Sequence, residues 1–225
     1  MQQFLDIFRD LPGFLDGFIA DHGPWVYGLL FAIIFAETGL VVAPFLPGDS
    51  LLFTVGALCA RGTMSLWMAC SLLVVAAILG DAVNYHLGKW IGPRIFRNEL
   101  ASTFWQRALN RKHLARAHEF YEKYGGKAVV LGRFIPIVRT FVPFVAGAGA
   151  MNYSRFVLFN ISGAMLWIGV CIGAGYLFGN IPWVNHNFEA VIIGIIGVSL
   201  IPVAVEWHLA RRRARAIAMS RGTSP

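Results

Sequence analysis

The sequence predicts an all-α integral membrane protein made of two inverted repeats. Each repeat is a re-entrant helical hairpin plus a transmembrane helix, and an additional C-terminal transmembrane helix and interfacial amphipathic helices complete the chain. Three observations lead there. Hydrophobic residues make up 57% of the 225 residues and charged residues only 14%, against roughly 25% charged in a soluble domain; a core of this size cannot hide so much apolar surface. Basic residues are segregated: nine lie between Lys89 and Lys127, five after Ala210, and the first sixty residues hold only Arg9. Finally, two apolar runs are interrupted in the same way by proline, glycine and charge, "FLPGD" at 45–49 and "GRFIPIVR" at 132–139.

Residues 1–24 read as an N-terminal interfacial helix region, since apolar residues alternate with Asp6, Asp10 and Asp16 around a break at Pro12-Gly13. There is no basic n-region or small-residue cleavage site of a signal peptide. A single membrane domain is expected over 25–210. It opens with a re-entrant hairpin at 25–60, because neither apolar arm beside "PFLPGD" matches the ~20 uninterrupted helical residues of a crossing. Pro47 and Gly48 are expected to make its turn. A transmembrane helix follows at 64–90, with Asp81 and Asn84 toward its end.

The basic region at 91–127 carries Trp105, Leu109, Leu114, Ala117, Tyr121 and Tyr124 at helical spacing. That stripe fits either a helix lying on an anionic leaflet or a solvated helix packed on the protein. A second re-entrant hairpin is expected at 128–150, with Pro136 and Pro143 as its turn residues. Transmembrane helices at 154–179 and 190–210 and a basic tail at 211–225 complete the chain.

A hairpin does not change sides and a span does, so the second half must start on the opposite face from the first. This is the inverted arrangement common in secondary transporters. "FLP" at 45–47 answers "FIP" at 134–136, Gly56-Ala57 answers Gly147-Ala148, and "YHLG" ending at Gly88 is laid over "YLFG" ending at Gly179. Positive-inside counting puts the basic loop and the C-terminal tail in the cytoplasm. Basic excess in a soluble protein would suggest nucleic acid, but beside spans it reports sidedness, and no nucleic-acid partner is expected. If Trp25–Ala43 crosses fully, the N-terminus moves to the cytoplasmic side.

Charge at membrane depth singles out Glu37, Asp49 and Asp81 in the first half and Arg133 and Arg139 in the second. Such groups cost several kcal/mol unless paired, protonated or hydrated, and they mark pathways by default. Irregular backbone at that depth survives only when buried in protein or lining a wet cavity, so the two hairpin tips are expected to face each other. The three acids are candidates for proton coupling and transport, since an unpaired acid there can load and release a proton. The arginines suit a phosphate, which their guanidinium forks bind bidentately while remaining charged. Gly48 and the stretch Gly147–Gly149 can offer backbone N–H groups to the same anion.

A structural alternative is that Arg133–Glu37 or Arg139–Asp49 pairs only staple the hairpins, with Asp81 as a brace. No metal or cofactor is expected: Cys59, Cys70 and Cys171 lack a ligand spacing, and His113 and His118 are five apart. Nothing matches a Ser/His/Asp site, a P-loop or a phosphatase signature, so no enzyme is expected. The spacings Gly169-x-x-x-Gly173 and Gly175-x-x-x-Gly179 are read as close-packing positions.

The stretches "FAETGLVVAPFLPGDSLLF", "GDAVNYHLGKWIG", "FYEKYGGKAVVLGRFIPIVRTFVPFVAGAGAM" and "NISGAMLWIGVCIGAGYLFG" resemble the DedA family, the bacterial branch of the VTT-domain (SNARE-associated) membrane proteins. The resemblance implies facing re-entrant hairpins, a bacterial inner-membrane location and lipid translocation, either recycling of undecaprenyl phosphate or movement of phospholipids, in some members linked to the proton gradient. It places the essential acids at Glu37 and Asp49 and the essential arginines at Arg133 and Arg139. The expected partners are therefore a phosphate-bearing lipid, protons and the surrounding membrane lipids, with homo-oligomerisation left open. Alternatives are a phospholipid scramblase or flippase, a proton-coupled small-ion or drug antiporter using the same acids, and a membrane scaffold without transport.

Overall fold

The computed structural model describes residues 17, 22–39, 48–96, 111–179, 181 and 194, leaving aside the side chains at 93–96, 111–116, 136 and 137. Nearly all of the 1–24 region, Pro47, the 190–210 span and the 211–225 tail lie outside the described residues. Among those described there are seven helices and no strand: α1 Trp25–Gly39, α2 Gly48–Ala60, α3 Leu66–Phe96, α4 Arg111–Tyr124, α5 Lys127–Gly132, α6 Pro136–Ala148 and α7 Tyr153–Phe178.

Two of these are long and apolar enough to cross a membrane, Leu66–Gly92 within α3 (mean hydropathy 2.1) and α7 (mean hydropathy 1.9). Their outward faces stay apolar. On α3 they carry Val75, Leu79 and Val83, and on α7 Leu158, Met165, Leu166, Val170 and Leu177. Surface of this kind belongs in lipid, since water tolerates only small apolar patches. Trp67 and Trp90, 86% and 68% exposed, are ~34 Å apart along α3. That distance fits a hydrocarbon layer of ~30 Å with an interfacial anchor at each edge.

The shorter helices reach only part-way along the long ones. At the start of α3, the Ser65 N–H donates to Tyr27 Oη at 2.9 Å. At its middle, a Cβ on Gly39 would sit 3.3 Å from Gly80 Cα. So α1 runs parallel to α3 and stops half-way. Its buried stripe Val26, Leu30, Ile34, Glu37 and Thr38 follows the 3.6-residue period toward α3. α2 begins beside Glu37 and returns to the start of α3 through a turn closed by Thr63 N–H to the Leu58 carbonyl at 3.1 Å.

The second set repeats this pattern. α5 runs parallel to the start of α7, with Gly126 against Phe159 and Gly163 against Val130. A turn at 133–135 leads into α6, and Asn152 caps α7 by accepting from the Ser154 N–H at 3.0 Å.

Partners are exchanged between the two sets. α2 packs chiefly on α7, and α6 chiefly on α3. In the first crossing Phe53, Gly56 and Ala57 meet Gly175, Ile172–Tyr176 and Gly179; in the second Phe144, Gly147 and Ala148 meet Gly88, Tyr85–Lys89 and Gly92. The contacts thus match Gly88 with Gly175, one helical turn from the superposition on Gly179 that the "YHLG"/"YLFG" similarity suggests. Local letter similarity cannot see which residue lies at a crossing. Two bundles of parallel helices result, α1–α3–α6 and α2–α5–α7.

Other expectations need correction. Pro143 is not a turn residue; it lies inside α6. Its ring removes the bond that the Arg139 carbonyl would accept from residue 143, but the packing of α6 on α3 keeps the helix continuous. α4 packs on α6 and α5 through buried Ala117, with Phe120 and Tyr121 half-buried, while Glu119, Glu122 and Lys123 are exposed. The described part of this helix packs on the protein, with its charged face exposed. Among the described residues a Cβ on Gly169 or Gly173 would meet nothing within 4 Å, so there only the Gly175/Gly179 spacing serves close packing.

The core is split. One apolar cluster joins α1, α2, the first half of α3 and the later part of α7. The other joins α4, α5, α6, Tyr85 and Phe156. Between them lies a layer of buried polar side chains: Glu37, Asp81, Asn84, Arg133, Thr140 and Asn160.

Candidate functional site

The polar layer is assembled by helix ends. α1 delivers Glu37 and Thr38 in its last turn, α2 delivers Gly48 and Asp49 in its first, the 133–135 turn delivers Arg133, and α6 delivers Arg139 and Thr140 in its first two turns. Asp81 and Asn84 come from mid-α3, and Asn160 and Trp167 from α7. Termini leave backbone groups without helical partners, which explains why polar side chains gather here. Asn84 Nδ2 donates to the carbonyls of Thr38 (3.3 Å) and Thr140 (2.7 Å), tying the end of α1 to α6.

Two ionic groups form. Arg139 donates through Nη1 to Asp49 Oδ1 at 3.0 Å and through Nη2 to Glu37 Oε1, so one guanidinium fork bridges α1 and α2. Arg133 donates through Nη2 to Asp81 Oδ2 at 2.5 Å and to Asn160 Oδ1 at 2.6 Å. Asn160 Nδ2 in turn donates to the Ile78 carbonyl at 3.0 Å. The Arg139–Asp49 pair anticipated from sequence is present. The Arg133–Glu37 pair is not, because Arg133 lies against Gly163 of α7 and its fork meets Asp81.

Trp167 stands between the two groups. Its Nε1–H donates to Asp49 Oδ1 at 2.9 Å, and its ring lies 5.9 Å from Arg133 Cζ and 5.5 Å from Arg139 Cζ. The cavity bounded by Glu37, Thr38, Asp81, Arg133, Arg139, Thr140 and Trp167 holds about one water molecule. Within the layer, Glu37 Oε2, Asn84 Oδ1 and Arg133 Nε are buried without hydrogen-bond partners among the described residues. The layer therefore keeps two spare acceptors and one donor, which buried sites rarely leave unused.

All five charged residues singled out in the sequence are thus brought into one layer, and Gly48 lies with them. A Cβ on Gly48 would occupy the position of the Glu37 carboxylate. Gly48→Ala is accordingly expected to displace that carboxylate and to cost about 1–3 kcal/mol, read as a lower unfolding temperature in detergent. Pro136 starts α6 directly after the Arg133 turn. Gly147 is elsewhere, pressed on the Tyr85 carbonyl at the α6–α3 crossing, so the Gly147–Gly149 stretch is not part of the polar layer. Sequence reasoning missed Trp167, Asn160, Thr38 and Thr140. Asn160 was accessible to it as a polar residue in an otherwise apolar span, as was Trp167 as a tryptophan far from either end of that span.

An all-helical fold that turns apolar faces outward on its long helices and keeps its charge at mid-length is that of a membrane protein. The chain belongs to the DedA family of membrane proteins: the model of the VTT domain matches residues 46–177. It is 50% identical over 190 residues to the protein DedA of Escherichia coli K12, covering 84% of each chain. It is 42% identical to an uncharacterized membrane protein of Mycobacterium leprae, covering 81% of this chain and 80% of that one. To the inner membrane protein YqjA of Escherichia coli K12 it is 42% identical, over 70% and 69% of the two chains. No solved structure matches it.

Proposed function

We propose that the protein is a transporter of a phosphate-bearing lipid, undecaprenyl phosphate above all, across the bacterial inner membrane, linked to proton movement. The observation that carries this reading is the convergence of Arg133 and Arg139 with three carboxylates in one layer, where half-length helices from both parts of the chain meet. Supporting it, α1 and α2 meet the long helices as a pair of arms that enter and leave on one side, and α5 and α6 do the same from the other. This arrangement supports a reading as two inverted re-entrant hairpins. YqjA is named an inner membrane protein, and positive-inside counting would put the C-terminal tail in the cytoplasm.

The chemistry is a competition for guanidinium. A lipid phosphate offers Arg139 the same bidentate geometry as the two carboxylates that now hold it, and both cannot be satisfied together. Protonating Glu37 and Asp49 weakens their hold and frees Arg139 for the phosphate; releasing the phosphate lets them ionise and pair again. The lipid tail stays in hydrocarbon while only the head group uses the polar layer, so no bond in the lipid has to change.

The test is translocation of a fluorescent undecaprenyl phosphate in phosphatidylcholine vesicles containing the protein, read by quenching from outside. Saturable movement that slows when the pH gradient is collapsed is expected. If the Arg133→Ala and Arg139→Ala proteins moved the lipid as well as wild type, the phosphate-site assignment would be wrong. Equal rates with and without the gradient would remove proton coupling and leave scrambling. Proton flux driven by added monovalent cation or cationic drug, without lipid movement, would favour the antiporter.

A further inference from the structure

Trp167 contacts both ionic groups. It comes from α7, as does Asn160, and its side chain is almost fully buried at 3% exposure. Its ring faces the two guanidiniums at similar distance, and its N–H shares Asp49 Oδ1 with Arg139 Nη1. Two like charges held near one point repel, yet an anion site needs them to converge. An aromatic face attracts both cations through its quadrupole, most strongly where water is excluded. Indole also supplies one donor and no acceptor, so it can hold a carboxylate and cannot compete for an arginine.

Resting on the phosphate-lipid reading, we infer that Trp167 is the positioning residue of the anion site, keeping Arg133 and Arg139 convergent and Asp49 in place while Arg139 changes partner. The two parts of the side chain do separate jobs. The ring acts on the arginines whether they face carboxylates or phosphate, and so sets how tightly the lipid head group is held. The N–H acts on Asp49 at the moment Arg139 leaves it, holding the protonated carboxyl where it can ionise and pair with the guanidinium again. The ring therefore governs the half-saturating lipid concentration, and the N–H governs the rate of exchange.

The experiment uses the full chain in phosphatidylcholine vesicles with increasing amounts of a fluorescent polyprenyl phosphate, comparing wild type, Trp167→Phe and Trp167→Leu. Trp167→Phe keeps an aromatic face and removes the donor; its maximal rate is expected to fall about tenfold, the order of a lost hydrogen bond to a charged acceptor, with half-saturation near wild type. Trp167→Leu removes both, and its half-saturating concentration is expected to rise about tenfold as well, the order two cation–π contacts support. General loosening of the fold would move both parameters in both variants, and that pattern overturns the inference, as does wild-type behaviour of Trp167→Leu. A wild-type protein with no saturable dependence on the lipid overturns the phosphate reading and this inference together.

Discussion

Replacing Arg139 with alanine is expected to abolish lipid translocation and to lower stability by about 3–5 kcal/mol, the range for breaking a buried ion pair by removing one partner. Glu37 is 1% exposed and, among the described residues, pairs with Arg139, so the variant would leave a carboxylate in a layer that admits about one water. Asp49 would lose one partner at the same time. Arg139→Lys keeps the charge, but a single ammonium cannot reproduce the planar fork that spans acids on two different helices. Partial stability and very low transport are expected of it. Adding Glu37→Gln to Arg139→Ala should return much of the lost stability, because the orphaned charge is gone, without restoring transport. Unfolding in detergent and translocation in vesicles, measured on the same three proteins, separate the two roles. Wild-type stability of Arg139→Ala would show that Glu37 does not depend on that pair.

How much of this could be read from sequence depends on the kind of feature. Charge in hydrocarbon is so costly that Glu37, Asp49, Asp81, Arg133 and Arg139 declare themselves without a structure. Their pairing does not. The spacing of Arg133 and Arg139 along the chain says nothing about which acid each meets, because α2 packs on α7 and α6 on α3, far from their neighbours in sequence. The sharing of Glu37 and Asp49 by Arg139 alone, and the use of Asp81 by Arg133, follow from that exchange of partners.

Proline was a weaker guide than charge. Pro136 and Pro143 look alike in sequence, and both are absent as backbone donors. Only Pro136 starts a helix, where its missing N–H is harmless, whereas Pro143 sits in the middle of α6 and is overruled by packing. Trp167 is marked in sequence only by its distance from either end of its span; that its N–H meets Asp49 is seen only in the fold.

The second large effect is expected at the two helix crossings. A Cβ on Gly56 would strike the Ile172 carbonyl, one on Gly175 the Phe53 carbonyl, one on Gly88 the Phe144 carbonyl and one on Gly147 the Tyr85 carbonyl. In each case the obstacle is backbone, which no rotamer change can move aside. Close approach of this kind is the reason small residues line helix contacts in membranes. Gly56→Val and Gly147→Val are each expected to cost about 3 kcal/mol, at the upper end for overpacking. Gly169→Val and Gly173→Val, whose added Cβ meets nothing within 4 Å among the described residues, are expected to leave the unfolding temperature unchanged.

Comparison of the two crossings carries more than either alone. If the two parts of the chain are equivalent units exchanging partners, then Gly56→Val and Gly147→Val should lower stability by similar amounts, and so should Gly175→Val and Gly88→Val. Each substitution pushes α2 from α7 or α6 from α3 and so pulls Asp49 or Arg139 out of the shared layer. Transport should then fall together with stability in all four proteins, although none of the four residues lines the cavity. Tolerance at Gly147 and Gly88 alongside collapse at Gly56 and Gly175 would mean that one crossing is dispensable, and the symmetric reading of the fold would fail with it.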